Sequence, residues 1–346
     1  MSASAPPTTT ASTGITEDEA ALYDRQLRLW GVEAQNRMRN ANVLLAGSFK
    51  GIAAEVAKNV VLAGVGSVCL LDPADLQPED LGANYWARED EVGRKRVQVS
   101  APRLQLLNPR VQLTTHTDPS LLYSESFLAP FDLVVLTDVD APTLSKVNAL
   151  TRKLGKKLFA ASSTGIHGWV FADLLEHEFI VDKEKTLSPG ETITVPTKLT
   201  HSYVPFEEAL RHDFAAKGQP KLRAKTKGKR EVLWGVLALF AAQRAAAATA
   251  TAADAASAPI AAEDLKKAAQ EVLPSMGVDA GALSDEVIFR LAPLLALEFP
   301  PSCAVLGGIC GQDVLNAVGG KEEPVRNLMV FDGERGEGGV WALGCP

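Results

Sequence analysis

Apolar residues in this chain gather in short runs set between turn residues, and the runs alternate with stretches of helical spacing. Asn42-Val43-Leu44-Leu45-Ala46-Gly47 is an apolar run that ends on glycine, Ile52 to Leu62 has helical character, and Ser67-Val68-Cys69-Leu70-Leu71-Asp72 is a second apolar run. Strands covered on both faces read as near-continuous Val/Ile/Leu runs. The succession therefore predicts strand, glycine turn, helix and strand, the opening of a doubly wound sheet. Arg94 to Leu107 then predicts a helix closed by Asn108-Pro109, Val111 to Thr115 alternates like a strand, and Phe131 to Leu136 is another buried strand. Ala141 to Leu154 predicts a helix, and Lys157 to Ala161 and Gly168 to Ala172 two further strands. Ahead of all these, a helix is expected to begin near Thr16, where Thr16-Glu17-Asp18-Glu19 sets a hydroxyl three residues before a carboxylate, the capping-box pattern.

After about Ile180 the character changes. Residues 181–200 are polar and turn-rich, Lys221 to Arg230 is a basic run, and 241–262 is a low-complexity Ala/Thr segment that reads as a helix end plus linker. Helices are expected over Leu265 to Leu273 and Asp285 to Leu297, a glycine-containing buried helix over Cys303 to Val318, and a closing strand and turn over Leu328 to Gly333. The predicted fold is α/β, a doubly wound, Rossmann-like, mostly parallel sheet with a helical, partly low-complexity insertion. Residues 1–15, rich in Ser, Thr, Pro and Ala, read as a disordered tail, and 16–346 as one domain interrupted at about 181–297.

Composition narrows the function classes. Hydrophobic residues make up 46% of the 346-residue chain, enough for a sizeable core, and 35 basic against 42 acidic residues give a net charge of −7. That balance speaks against nucleic acid or an anionic membrane as the partner of the whole chain. The N-terminus lacks the basic and apolar regions of a signal peptide, and the apolar run from Val232 to Ala242 is too short to span a bilayer. No two of Cys69, Cys303, Cys310 and Cys345 form a C-x-x-C pair, so a reducing compartment is expected and a zinc site is not. Cys69, Cys303 and Cys310 lie in apolar elements and Cys345 is terminal, so none reads as an activated nucleophile. The five histidines show no ligand spacing, and His177 reads as a strand-end or surface residue. The basic run reads as a solvated loop ahead of a nuclear-localisation patch.

The turn after the first strand is where a nucleotide fold approaches phosphate. Here it runs Gly47-Ser48-Phe49-Lys50-Gly51-Ile52-Ala53, with only two glycines, a bulky Phe49, and Ala53 where a third glycine would ease packing. Asp72 falls 21 residues after Gly51, about where an acid would meet a ribose hydroxyl. The loop reads as a Rossmann-like turn kept for folding, with Gly47, Gly51 and Asp72 as degenerate cofactor-binding positions.

Tyr23-Asp24-Arg25-Gln26-Leu27-Arg28-Leu29-Trp30-Gly31, followed by Ala34-Gln35, resembles the opening motif of the ubiquitin-like-protein activating enzymes. Glu55 to Asn59, Leu62 to Gly66, Asp80 to Asn84, Val92 to Arg96 and Leu107-Asn108-Pro109 continue the resemblance, as do Pro301 to Gly308, Gln312 to Leu315 and Phe331 to Gly333. It spans about residues 17–180 and 298–335. The family pairs an active with an inactive adenylation half. Of the active half's pattern, Asp72 matches the first acid, but the second falls on Ala74 beside Asp75, the arginine of an Arg-Gln pair on Ala83, the catalytic lysine on Arg96, and the magnesium aspartate near Thr137, beside Asp138. AMP transfer to a carboxylate needs fixed cations and magnesium against developing phosphate charge. The resemblance therefore implies the inactive half, with no metal site and no tightly bound cofactor, ATP and magnesium being held mainly by the partner. Arg25 matches an arginine that reaches the partner's ATP in trans; the competing expectation is an ion pair with Asp24 or Glu33. Arg28 is a second candidate.

Separate inactive halves occur in the SUMO and NEDD8 activating enzymes. The short 181–297 region, Gly165 to Glu178 and Val204 to Leu210 look more like the SUMO branch. The resemblance then implies an obligate heterodimer with SUMO-activating enzyme subunit 2, SUMO as the second partner, no nucleic acid or membrane, a nuclear location with the cytoplasm also open, and no catalysis by the chain alone. The alternatives are a NEDD8-type inactive subunit, a self-sufficient homodimeric adenylyltransferase of the ThiF/MoeB type, a nicotinamide-dependent oxidoreductase, and a pure scaffold.

Overall fold

The computed structural model describes residues 16–188, 191–216, 230–249, 260–295 and 297–345. The expected tail at 1–15, residues 221–229 of the basic run and 250–259 of the Ala/Thr segment lie outside the described residues.

Helix α1 (Glu17–Leu22) starts at the capping box, with the Glu19 amide donating to Thr16 Oγ1 and the Thr16 amide to Glu19 Oε2. Helix α2 (Asp24–Arg39) follows, broken at Gly31. The sheet is then laid down as β1 (Asn42–Gly47), α3 (Gly51–Leu62), β2 (Ser67–Leu71), α4 (Arg96–Gln105), β3 (Gln112–His116), α5 (Glu125–Leu128), β4 (Leu133–Thr137), α6 (Ala141–Lys153), β5 (Lys157–Thr164) and β6 (His167–Asp173). Next come β7 (Glu176–Ser188), β8 (Glu191–Ser202), α7 (Phe206–Ala209), α8 (Glu231–Thr249), α9 (Ala262–Ser275) and α10 (Asp285–Leu291), and the chain closes with α11 (Pro300–Gly319), β9 (Leu328–Asp332) and β10 (Glu337–Trp341).

The main sheet has the order β10-β9-β6-β5-β4-β1-β2-β3. Strands β3, β2, β1, β4 and β5 pair in parallel, and β6, β9 and β10 extend the sheet antiparallel. This is the expected α/β, mostly parallel architecture. The chain runs outward from β1 to β3 and then returns to β4 on the other side of β1, so the order reverses between β1 and β4. Such a switch point opens a crevice at the carboxyl ends of the strands.

Successive side chains of a strand face opposite ways, and β1 shows it. Leu44 and Ala46 join one core with Phe171, Phe206 and Phe240, while Val43 and Leu45 join the other with Ile52, Phe159, Leu306 and Cys310. Helix α11 lies beside α3 in the second core, and α8 fills the first.

Three expectations are corrected. The polar stretch after Ile180 is a long antiparallel hairpin of β7 and β8, paired from Glu176↔Ser202 to Ser188↔Glu191. Its Asp182 to Thr186 arm is exposed on both faces, so no apolar period marks it as a strand. Helix α8 is longer than the apolar run suggests, and by length and composition it could cross a membrane, yet 56% of that window is buried inside the fold. A helix apolar all round is a core helix when it is packed on several sides, and Trp169 and Phe206 stack edge-on against its Phe240 at 4.9 and 5.1 Å. The helix expected over Asp285 to Leu297 ends at Leu291 and gives way to a tighter turn over Ala292–Leu294. Strand β10, rich in glycine, carried no apolar signal.

Candidate functional site

The crevice at the switch point is built from the loop between β1 and α3. Gly47 has φ +110°, and a Cβ there would stand 2.2 Å from the Thr137 carbonyl, so only glycine lets the loop cross the end of β4 so closely. The crossing is stapled on both sides: the Ser48 amide donates to the Thr137 carbonyl and Thr137 Oγ1 to the Ser48 carbonyl, both at 2.9 Å. Phe49 turns inward and is buried, and its carbonyl accepts from Asn84 Nδ2 at 3.1 Å. At Gly51 a Cβ would meet Ala83 at 2.7 Å and Cys303 at 2.9 Å, so α3 begins in close contact with α11.

Asp72 is 2% exposed. Its Oδ2 accepts from the Phe49 amide at 2.8 Å and its Oδ1 from the Ala74 amide at 2.8 Å. The carboxylate expected to face a ribose is thus turned back onto the loop. Arg96 completes the arrangement: Nε and Nη2 fork onto Asp80 at 2.6 and 3.3 Å, and Nη1 reaches Asp72 at 3.4 Å. Burial works against the guanidinium charge, but the Asp80 and Asp72 carboxylates outweigh it and hold its proton more tightly than usual. A bidentate, buried arginine is fixed in place; it is a strut of the loop.

Glu298 belongs to the site without any signal in the sequence. Its Oε1 accepts the Gly51 amide at 3.1 Å across 247 residues of sequence. Burial foremost, and then the facing Asp138 carboxylate, push its proton up to about 7, against the pull of Lys50 and the Gly51 amide. Asp138, which stands one residue past the expected magnesium position, has φ +51°. Ser162 Oγ and the Ser163 amide donate to its Oδ1 at 2.8 and 3.3 Å, its buried Oδ2 has no partner, and burial raises its proton affinity. Cys303 lies against the same group, its Sγ 3.9 Å from Glu298 Oε1 and 3.8 Å from Ser163 Oγ. Burial pushes that thiol up to about 12, the opposite of an activated nucleophile. Cys69 and Cys310 are buried and likewise raised. Cys345 is half-buried, its thiol raised by burial.

The donor set does not suit a nucleotide triphosphate with magnesium. The helix N-terminus already receives a carboxylate, Asp72 and Arg96 satisfy each other and the loop, and Ala83 and Ala74 offer no charge. No group of three or more His, Cys, Asp or Glu able to hold a metal ion occurs among the described residues.

Arg25 is exposed on α2, and no ion pair of its own is formed among the described residues. Asp24, one of its two expected partners, binds Arg28 instead, at 3.0 Å. Of the two positions expected for His177, strand end or surface, it takes the first: it is buried at the start of β7, with Nδ1 3.2 Å from Lys157 Nζ. Burial, then Lys157 and His201, lower its proton affinity to about 3. A cavity of 660 Å³ lined by Arg37, Asp132 and Lys157 opens at the amino ends of β4 and β5, away from the crevice.

The ThiF family pattern matches residues 23–342. The chain is 35% identical to SUMO-activating enzyme subunit 1 of Homo sapiens, over 96% of this chain and 98% of that protein. It is 33% identical to the DNA damage tolerance protein RHC31 of Saccharomyces cerevisiae, over 92% and 95% of the two chains. Among solved structures it is similar to PaaA, with a TM-score of 0.56, 12% identity and coverage of 98% of this chain and 78% of that one. It is also similar to Escherichia coli MccB with succinimide, with a TM-score of 0.53, 13% identity and coverage of 93% and 71%. The structural matches share the fold; the sequence matches run nearly end to end. The chain therefore belongs to the ThiF family, in the group of SUMO-activating enzyme subunit 1.

Proposed function

We propose that this chain is the non-catalytic adenylation-type half of a heterodimeric SUMO-activating enzyme. It is required, with a subunit 2, for ATP-dependent adenylation of SUMO before thioester transfer. The observation that carries this reading is the use of the chain's own nucleotide crevice by its own side chains: Glu298 on the Gly51 amide, and Arg96 on Asp72 and Asp80. ATP and magnesium belong mainly to the partner. Arg25 is the group this chain contributes there, in trans, as a guanidinium that stabilises the triphosphate. Its surroundings suit that task, because Leu22, Leu29 and Val32 beside it are all more than half exposed. Large apolar side chains left exposed along one stretch of chain fit burial against a partner. The buried, raised thiols of Cys69, Cys303 and Cys310 leave thioester formation to the partner as well. The compartment that fits this role is the nucleus, with the cytoplasm also open.

ATP–pyrophosphate exchange with SUMO tests the reading. The purified chain alone is expected to be near inactive, and addition of subunit 2 to restore exchange. Robust exchange by the chain alone overturns it, and so does failure to form a complex with subunit 2.

A further inference from the structure

The amino end of a helix presents unsatisfied N–H groups and a partial positive charge, which is why nucleotide folds seat phosphate there. In this chain the first amide of α3, at Gly51, donates to Glu298 Oε1. Glu298 is not a loosely held side chain. Its backbone forms a parallel bridge with Gly165, and the Gly165 amide donates to the Leu297 carbonyl at 2.9 Å. The turn between β5 and β6 thus pins the residue, and Cys303, in the first turn of α11, packs against its carboxyl. The neighbouring amide of the loop, at Phe49, is taken by Asp72. Two of the amides at this helix end, those of Phe49 and Gly51, therefore point at carboxylates of the chain itself.

We propose that the Glu298 carboxyl is the resident occupant of this chain's phosphate loop, an autoinhibitory contact that holds the Gly51 amide of α3 closed to nucleotide phosphate. The contact accounts for the misfit between the fold and a nucleotide more directly than the missing cations do. Lost cations weaken binding, whereas a carboxylate seated on the amide excludes the phosphate. Asp138 acts on Glu298 from close by and has a buried, unpartnered Oδ2, while Lys50 of the same loop acts on both carboxyls with the opposite sign, so an incoming phosphate would meet two acidic side chains and one lysine at this helix end. The proposal concerns this chain alone and does not depend on which partner it has.

Titration calorimetry of the full chain with ADP, and with orthophosphate, tests it. The wild-type chain is expected to bind neither up to roughly 1 mM, and Glu298→Ala to bind ADP at least about tenfold more tightly than wild type does, with a rise in Tm on adding ADP. Tight ADP binding by the wild-type chain overturns the proposal, as does a folded Glu298→Ala variant with wild-type affinity. Should Glu298→Ala not fold, Glu298→Gln serves, since its amide oxygen still accepts from Gly51. Wild type and Glu298→Gln are both expected to show slow hydrogen exchange at the Gly51 amide, and exchange at the rate of an open loop in the wild-type chain overturns the proposal.

Discussion

Arg96 is 6% exposed and forks onto Asp80 while touching Asp72, whereas Arg25 stands in solvent on α2 without an ion pair among the described residues. The same charge is thus structural in one place and available in the other, and only the neighbours decide which. Substituting Arg25 by alanine removes no packing, so the complex with subunit 2 should survive on size exclusion. Its ATP–pyrophosphate exchange should fall at least about tenfold, since an arginine supplied in trans is worth ~10³–10⁵ in the most favourable cases. Loss of the complex instead would make Arg25 an interface residue. Glu298 carries a different prediction. Its proton is held more tightly in the fold than the ordinary 4.5, up to about 7, so the folded state binds more protons than the unfolded chain between these values. Its contribution to stability is therefore full below about 4.5 and lost as pH rises through about 7. Asp313, buried and raised to about 6, acts with the same sign. The buried histidines, with His177 lowered to about 3, act with the opposite sign and lose stability as pH falls below 6.5. The test is thus a difference: Glu298→Gln should gain stability over wild type in urea titrations at pH 8 and show little or no gain at pH 4.5.

Elements follow their local chemistry wherever both chemistry and burial point the same way. Strand β1 occupies Asn42–Gly47, the apolar run read from the sequence, because a central parallel strand is covered on both faces. The capping box at Thr16 sets the start of α1, but α1 buries none of its residues. Thr16→Ala should cost about 1 kcal/mol of local helix stability, seen as faster hydrogen exchange over α1 with no shift in the global unfolding midpoint. The hairpin of β7 and β8 is the counterexample. Its first arm carries Asp182, Lys183, Glu184 and Lys185 in succession, all exposed, so no apolar alternation separates that arm from a polar loop; the sequence signals of the hairpin are Pro189-Gly190 between the arms and the alternation of Thr192-Ile193-Thr194-Val195 in β8. Their strand pairing is a property of two segments together, and a single segment does not display it.

The described residues pack two cores on either side of one sheet, and the middle segment completes one of them through α7, α8, α9 and α10. Phe240 of α8 is 1% exposed and sits between Trp169 and Phe206, so Phe240→Ala should lower unfolding free energy by about 3–5 kcal/mol in a urea titration. From sequence alone came the alternation of strands and helices from β1 to β6, the glycine-poor phosphate loop at Gly47 and Gly51, the apolar setting of Cys69, Cys303 and Cys310, and the family through Tyr23 to Gly31; the spatial order of the strands came with the fold. Each of the first four is written in residues that lie close together in the chain, as period, turn chemistry or motif. Tertiary structure alone decided that Asp72 braces the Phe49 amide, that Arg96 is sequestered by Asp80, and that Glu298 reaches Gly51 across 247 residues. Those contacts join positions with no local signal in common. What a buried charged group does depends on which carboxylate, amide or guanidinium the closed fold sets within hydrogen-bonding distance, and that pairing exists only once the sheet and α11 have come together.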